Sequence, residues 1–163
     1  MDDLVERNGL LYKKFTDVPY TGMITGKSQG SIKNGKWDGT VVTYDENGQL
    51  LIKENYKNGK LNGNWVAYDE NGQLWIKQSF KNGKKEGAWV SYFENEKLGV
   101  KGNYKNGKEE GAWVKYRKNG QLEYKGNYKN GKKEGAWVSY DENGTLVSML
   151  TGTFKDGTKI SDL

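Results

Sequence analysis

Short apolar runs separated by Asn-Gly turns recur along most of this chain. In residues 57–80, KNGKLNGNWVAYDENGQLWIKQSF, the run Trp65-Val66-Ala67-Tyr68 is followed by Asp69-Glu70-Asn71-Gly72 and then by a second run from Leu74 to Phe80. Asn-Gly tolerates positive φ and closes tight hairpins, so each such unit predicts two antiparallel strands. The unit is copied. KNGKKEGAWVSY stands letter for letter at 81–92 and 129–140, KNGKEEGAWVKY at 105–116, KNGKLNGNWVAY at 57–68 and KNGKWDGTVVTY at 33–44. Their first residues, Lys33, Lys57, Lys81, Lys105 and Lys129, are 24 apart four times in succession. A fixed period of this length marks a stacked repeat architecture. No segment long enough for a helix lacks an interrupting Gly. The expected fold is all-β: an elongated, twisted antiparallel sheet of five to six consecutive β-hairpin repeats with a 24-residue period and essentially no helix.

Alternation assigns faces. In the second strand of each unit, Leu50, Ile52 and Tyr56 share a parity, as do Leu74, Ile76 and Phe80, then Leu98, Val100 and Tyr104, then Leu122, Tyr124 and Tyr128. The residues between them are mostly polar or charged, the pattern of a half-buried strand. In the first strand, Val66 and Tyr68 share one face and Trp65 and Ala67 the other. The expectation is that Val and Tyr join the Leu/Ile/Tyr face. Trp65, Trp89, Trp113 and Trp137 then form a column on the opposite face, unless a bulge resets the parity. Lys53, Lys77, Lys101 and Lys125 would share that Trp face. The KNGK turns give the sheet one basic edge, and the DENG turns at Asp45, Asp69 and Asp141 give a more acidic one, broken at Arg117-Lys118.

The whole chain, 1–163, reads as a single repeat domain. Residues 1–32 are aromatic-rich, carry the one proline, Pro19, and are expected to close the N-terminal end of the array as a cap or irregular repeat. Five repeats occupy 33–154. Near the end the step from Lys129 to Lys155 lengthens to 26 and Met149 replaces the column lysine. Residues 155–163 begin a unit that is not completed and are expected to form a C-terminal cap.

Composition refines this picture. Leu, Ile, Val and Phe supply only about a fifth of the residues, close to disordered chains. Net charge is only +5, however, and 6 Trp and 11 Tyr add large side chains. The core is therefore expected to be thin and aromatic. There is no Cys and no His. That removes disulfides, thiolate chemistry and the commonest general base and metal ligand. The chain has no apolar stretch of signal-peptide or membrane-span length, which favours a cytoplasmic location, or a secreted one if a signal has been removed.

Three catalytic or ligand readings are weak. KNGK lacks the GxxxxGK[ST] spacing of a phosphate loop. The DENG carboxylates lack the alternating spacing of a calcium loop. Carboxylates copied at every repeat fit turn chemistry better than one asymmetric active site. No enzyme, metal or cofactor is expected. The Trp and Tyr columns are the open question: either they pack the sheet, or they line a binding surface, as exposed aromatic patches usually do. The candidate interaction surface is Trp65, Trp89, Trp113, Trp137, Tyr116, Lys77, Lys101 and Lys125, with Trp89, Trp113 and Tyr116 as its anchors.

The Gly-x-Trp of each unit, the Tyr that follows, the DENGQL segment and the KGNYKNGK link resemble MORN repeats, and specifically the bacterial variant of YwqK-type, antitoxin-like proteins. The YKKF…VPYTG stretch at 12–22 is similar to the opening of that group. Two positions depart from the pattern: Val41 replaces Trp, and Glu96-Lys97 replaces Asn-Gly. The resemblance implies a non-enzymatic interaction or scaffold protein, in its specific form one that neutralises a partner protein. Similar repeats accompany some phosphatidylinositol phosphate kinases, but no length remains here for a kinase domain. Peripheral binding to anionic membranes through the Lys columns is the alternative, and carbohydrate binding by the aromatics a weaker one. Interleaved acidic residues and modest net charge argue against nucleic acid.

Overall fold

The computed structural model describes residues 3–163, and among these the regular structure is almost entirely β-strand. β1 (Leu4–Arg7) and β2 (Leu10–Lys13) form a separate hairpin. The remaining strands make one 15-stranded antiparallel sheet: β3 (Gly22–Ile24), β4 (Ser28–Lys33), β5 (Lys36–Tyr44), β6 (Leu50–Lys57), β7 (Lys60–Leu61), β8 (Gly63–Tyr68), β9 (Leu74–Lys81), β10 (Lys84–Tyr92), β11 (Leu98–Lys105), β12 (Lys108–Glu109), β13 (Gly111–Tyr116), β14 (Leu122–Lys129), β15 (Lys132–Ser139), β16 (Gly152–Lys155) and β17 (Thr158–Ser161). Strands follow one another across the sheet in chain order, so the sequence-predicted run of consecutive hairpins is the observed one. A single 3-10 turn, Ser148–Leu150, precedes β16 in the irregular last unit.

Both turn types are built as their residues dictate. In each KNGK turn the Asn and Gly both adopt positive φ, for example Asn82 at 51° and Gly83 at 80°. That is the twist a two-residue hairpin needs. In the DENG turns the Asp carboxylate folds back on its own loop. Asp69 Oδ1 accepts hydrogen bonds from the Asn71 and Gln73 amides at 2.9 Å each, and Asp45 and Asp141 repeat the pattern. These carboxylates are occupied as turn organisers.

The KNGK turns also stack on one another. The Gly amide of each turn donates to a backbone carbonyl of the preceding unit: Gly59 to Trp37, Gly83 to Leu61, Gly107 to Lys85, Gly131 to Glu109 and Gly157 to Lys133. The residue ahead of each repeat's GxW or GTV glycine ties the next turn as well. Asp38, Glu86, Glu110 and Glu134 accept from the amides of Asn58, Asn106, Asn130 and Asp156 at 2.7–3.1 Å. Each unit is thus fastened to its neighbour at the basic edge as well as through the strand ladder. At the N-terminal end, Leu11 donates to Gly35 O and Gly35 to Tyr20 O, which fastens the β1–β2 hairpin to the first turn.

The register corrects the assignment of faces. Residues directly opposite in an antiparallel pair point to the same side. Val66 lies opposite Lys77 and Lys53, while Ala67 lies opposite Ile76 and Ile52. Trp65 and Ala67 therefore share the Ile face, and Val joins the lysines, the reverse of the expectation. A bulge follows in each unit, between Thr43/Tyr44, Ala67/Tyr68, Ser91/Tyr92 and Lys115/Tyr116. It places Tyr44, Tyr68, Tyr92 and Tyr116 opposite Leu50, Leu74, Leu98 and Leu122, so each Leu leaves the Ile side and joins the Val/Tyr side.

Candidate binding face

The sheet has two unlike faces. On one, Trp65, Trp89, Trp113 and Trp137, four of the six tryptophans, lie in a row that crosses the strands. Trp89 is opposite Gly102, Trp113 opposite Gly126 and Trp137 opposite Gly152. The glycines make room. A Cβ on Gly102 would stand 2.2 Å from the Trp113 ring, and one on Gly126 2.2 Å from that of Trp137. Tyr side chains complete the packing edge-on: Tyr104 and Tyr128 meet Trp113 at 5.2 and 5.9 Å between ring centroids, and Tyr128 meets Trp137 at 4.8 Å. Trp113 is 6% exposed and Trp137 1%. Both indole N–H groups donate to backbone carbonyls, of Asn103 and Asn127. In the N-terminal half, Glu54 and Gln78 occupy the glycine position. There Trp65 Nε1 donates to Glu54 Oε1 at 2.7 Å, and Trp65 and Trp89 are only half-buried. Val41 fills the Trp position of the first unit and is buried.

The polar groups of this face are perturbed by burial. Burial first, then the charge and hydrogen bond of Glu54, pushes the Tyr56 phenol up to about 12. Burial and Glu109 do the same for Tyr104, and burial leads the upward shifts of Tyr124 and Tyr128. Lys133, with its Nζ 4.5 Å over the Trp137 ring and 4.9 Å over Phe154, is pushed down by burial.

The other face is open. An unbroken row alternates Val and Lys across nine strands: Val42, Lys53, Val66, Lys77, Val90, Lys101, Val114, Lys125 and Val138. The four lysines are exposed and the valines half-buried, as expected where lysine stems lie along their neighbours. Tyr68, Tyr92 and Tyr116 flank the row on one side. Exposed Ala88, Ala112 and Ala136 flank it on the other, opposite Asn103, Asn127 and Thr153. A groove of about 620 Å³ runs over Lys101, Val114, Tyr116 and Lys125, with Ala88 and Ala136 at its ends. A second, of about 490 Å³, continues it over Lys77, Val90 and Tyr92 and shares Ala88 and Lys101 with the first. No carboxylate lines either groove. Among the described residues, none of the salt bridges involves Lys53, Lys77, Lys101 or Lys125.

The sequence-predicted surface is therefore divided. Lys77, Lys101, Lys125 and Tyr116 share the open face, whereas Trp65, Trp89, Trp113 and Trp137 pack on the opposite one. Trp113 and Tyr116, expected to act together, lie on different sides of the sheet. Sequence reasoning missed Gly102 and Gly126, whose signal is their 24-residue spacing opposite Trp, and the turn ties at Asp38, Asn62, Glu86, Glu110 and Glu134, which recur at the same interval.

Among solved structures, the crystal structure of a GtfA/B complex bound to UDP and GlcNAc aligns with 82% of this chain at 12% identity and a TM-score of 0.29, and the alignment spans 24% of that chain. No curated protein sequence matches. The family model described as MORN repeat variant matches residues 37–58, 61–82, 85–106, 109–130 and 133–155, five consecutive segments that run from β5 to β16. With these five consecutive repeats covering more than half of its length, the chain belongs to the MORN repeat variant family, whose repeats suggest a scaffold or binding protein.

Proposed function

We propose that this chain is a non-enzymatic binding protein whose Val–Lys face receives an acidic segment of a partner protein. One observation carries the reading: three exposed lysines outside any salt bridge, Lys77, Lys101 and Lys125, alternate with half-buried valines along two adjoining grooves without carboxylates. The aliphatic floor supplies area and the lysines supply sign, a combination that favours a partial apolar contact with negative charge around it. Trp113 and Trp137 serve the reading by holding the opposite face rigid. In its specific form, suggested by the resemblance to antitoxin-like relatives, the protein neutralises its partner by covering an acidic surface.

The test compares wild type with a Lys77→Glu, Lys101→Glu, Lys125→Glu triple variant as bait, with circular dichroism as the check on fold. Proteins retained by the wild type and lost from the variant, through an acidic region that binds on its own, are the expected result. Equal retention by both baits contradicts the reading. So does charge-dependent sedimentation with phosphatidylserine vesicles in the absence of any protein ligand, which would assign the face to membranes.

A further inference from the structure

We propose that the occupant of the Val–Lys face is an extended polyproline-II segment, lying across the strands, with a carboxylate at every third residue. The inference rests on the reading of this face as the binding surface and adds the conformation and period of what it binds. Lys77, Lys101 and Lys125 sit on β9, β11 and β14, with one Val-bearing strand between each pair. Two strand spacings, roughly 9.6 Å, separate successive lysines.

Few backbone conformations keep step with that interval. An α-helix returns to the same face after seven residues, roughly 10.5 Å, and drifts by about 1 Å per repeat. A β-strand returns every second residue, roughly 6.7 Å, and cannot place a carboxylate at each lysine. Polyproline II has three residues per turn at roughly 3.1 Å each, so it advances about 9.3 Å and stays in register over several repeats. From Lys77 to Lys125 is four strand steps, roughly 19 Å, which six such residues span.

The flanks of the groove suit the same ligand. Tyr68, Tyr92 and Tyr116 recur at the lysine interval as a ridge on one side, and aromatic ridges are what polyproline-II ligands dock between. Exposed Ala88, Ala112 and Ala136 keep the other side low, leaving room for a ring or aliphatic side chain at each step. A segment already extended in solution loses little conformational entropy on docking, which suits a shallow groove.

Calorimetric titration of the full chain tests this with three acidic peptides of equal charge. One carries four Glu-Pro-Pro triplets, the second has the same composition with its glutamates together at one end, and the third is a heptad helix with one glutamate per heptad. The triplet peptide is expected to bind at least about tenfold tighter than either control. Lys101→Gln with Lys125→Gln is expected to weaken it about tenfold without changing the circular dichroism spectrum. Equal binding of all three peptides, weakened by the same Lys variants, overturns the polyproline-II assignment and leaves acidic docking standing. Preference for the helix overturns it too, as does binding of none of the three while an acidic protein partner is still retained by the wild-type bait.

Discussion

A single side chain decides how each tryptophan is held. At the position opposite Trp, Gly102 and Gly126 let the indoles of Trp113 and Trp137 lie against backbone, whereas Glu54 hydrogen-bonds Trp65. Neither Gly102 nor Gly126 has positive φ, so their requirement is space. Gly126→Ala is expected to destabilise the protein by ~1–3 kcal/mol through overpacking, read by denaturant unfolding with Trp fluorescence. Trp113→Ala is expected to cost ~3–5 kcal/mol, so it reports on folding and is unsuited as a probe of binding. The buried phenols set an alkaline limit. Burial pushes the Tyr56 and Tyr104 phenols up to about 12 in the folded chain, above the ordinary phenol value of 10.0. A raised folded pKa means this stability is complete below about pH 10, the unfolded value. It is lost as the pH climbs from there towards the folded value. Ultraviolet titration of tyrosinate is expected to show late-ionising tyrosines, with unfolding that starts above pH 10; Tyr56→Phe with Tyr104→Phe is expected to shift that loss to higher pH.

At the scale of the hairpin, turns and strands were legible from sequence, and the match between their faces was not. Asn-Gly at a 24-residue step identifies the KNGK turns because only a few residue types accept two successive positive φ values. Alternation within one strand was equally plain. Both faces of the first strand carry apolar residues, however, Trp and Ala on one and Val and Tyr on the other. Which of them meets Ile76 depends on pairing register, and a one-residue shift exchanges the faces. The bulge falls inside the second strand, between Leu74 and Ile76 and between Leu98 and Val100, so each Leu shares the Val/Tyr face as expected while Ile76 and Val100 turn to the Trp face. The turn ties were hidden because each joins residues 20 or 22 apart whose polar character already had an explanation as solvent-exposed turn chemistry. Replacing Glu86 by Ala removes the acceptor of the Asn106 amide and is expected to cost ~0.5–1.5 kcal/mol. Faster hydrogen exchange at Asn106, with little change at Asn130, would locate the loss at that turn.

Across the whole molecule, a one-layer sheet of repeats has no interior of its own, so it divides labour between its faces. The aromatic row, closed by glycine, makes a core on one side. The Val–Lys row on the other leaves apolar area and positive charge unpartnered over many strands. Because each unit contacts chiefly its neighbours, stability is expected to follow a nearest-neighbour pattern. Destabilising Trp137 is then expected to expose β14 to β17 to hydrogen exchange well before β5 and β6, whereas uniform loss of protection would contradict it. The central claim, that tryptophan forms the core and Val with Lys the open face, is tested most directly by NMR with a soluble paramagnetic agent. Strong broadening of the Ala88, Ala112, Ala136 and Val114 methyl signals, with the Trp113 and Trp137 indole signals left sharp, is the result expected. Sharp methyl signals beside broadened indoles would contradict it.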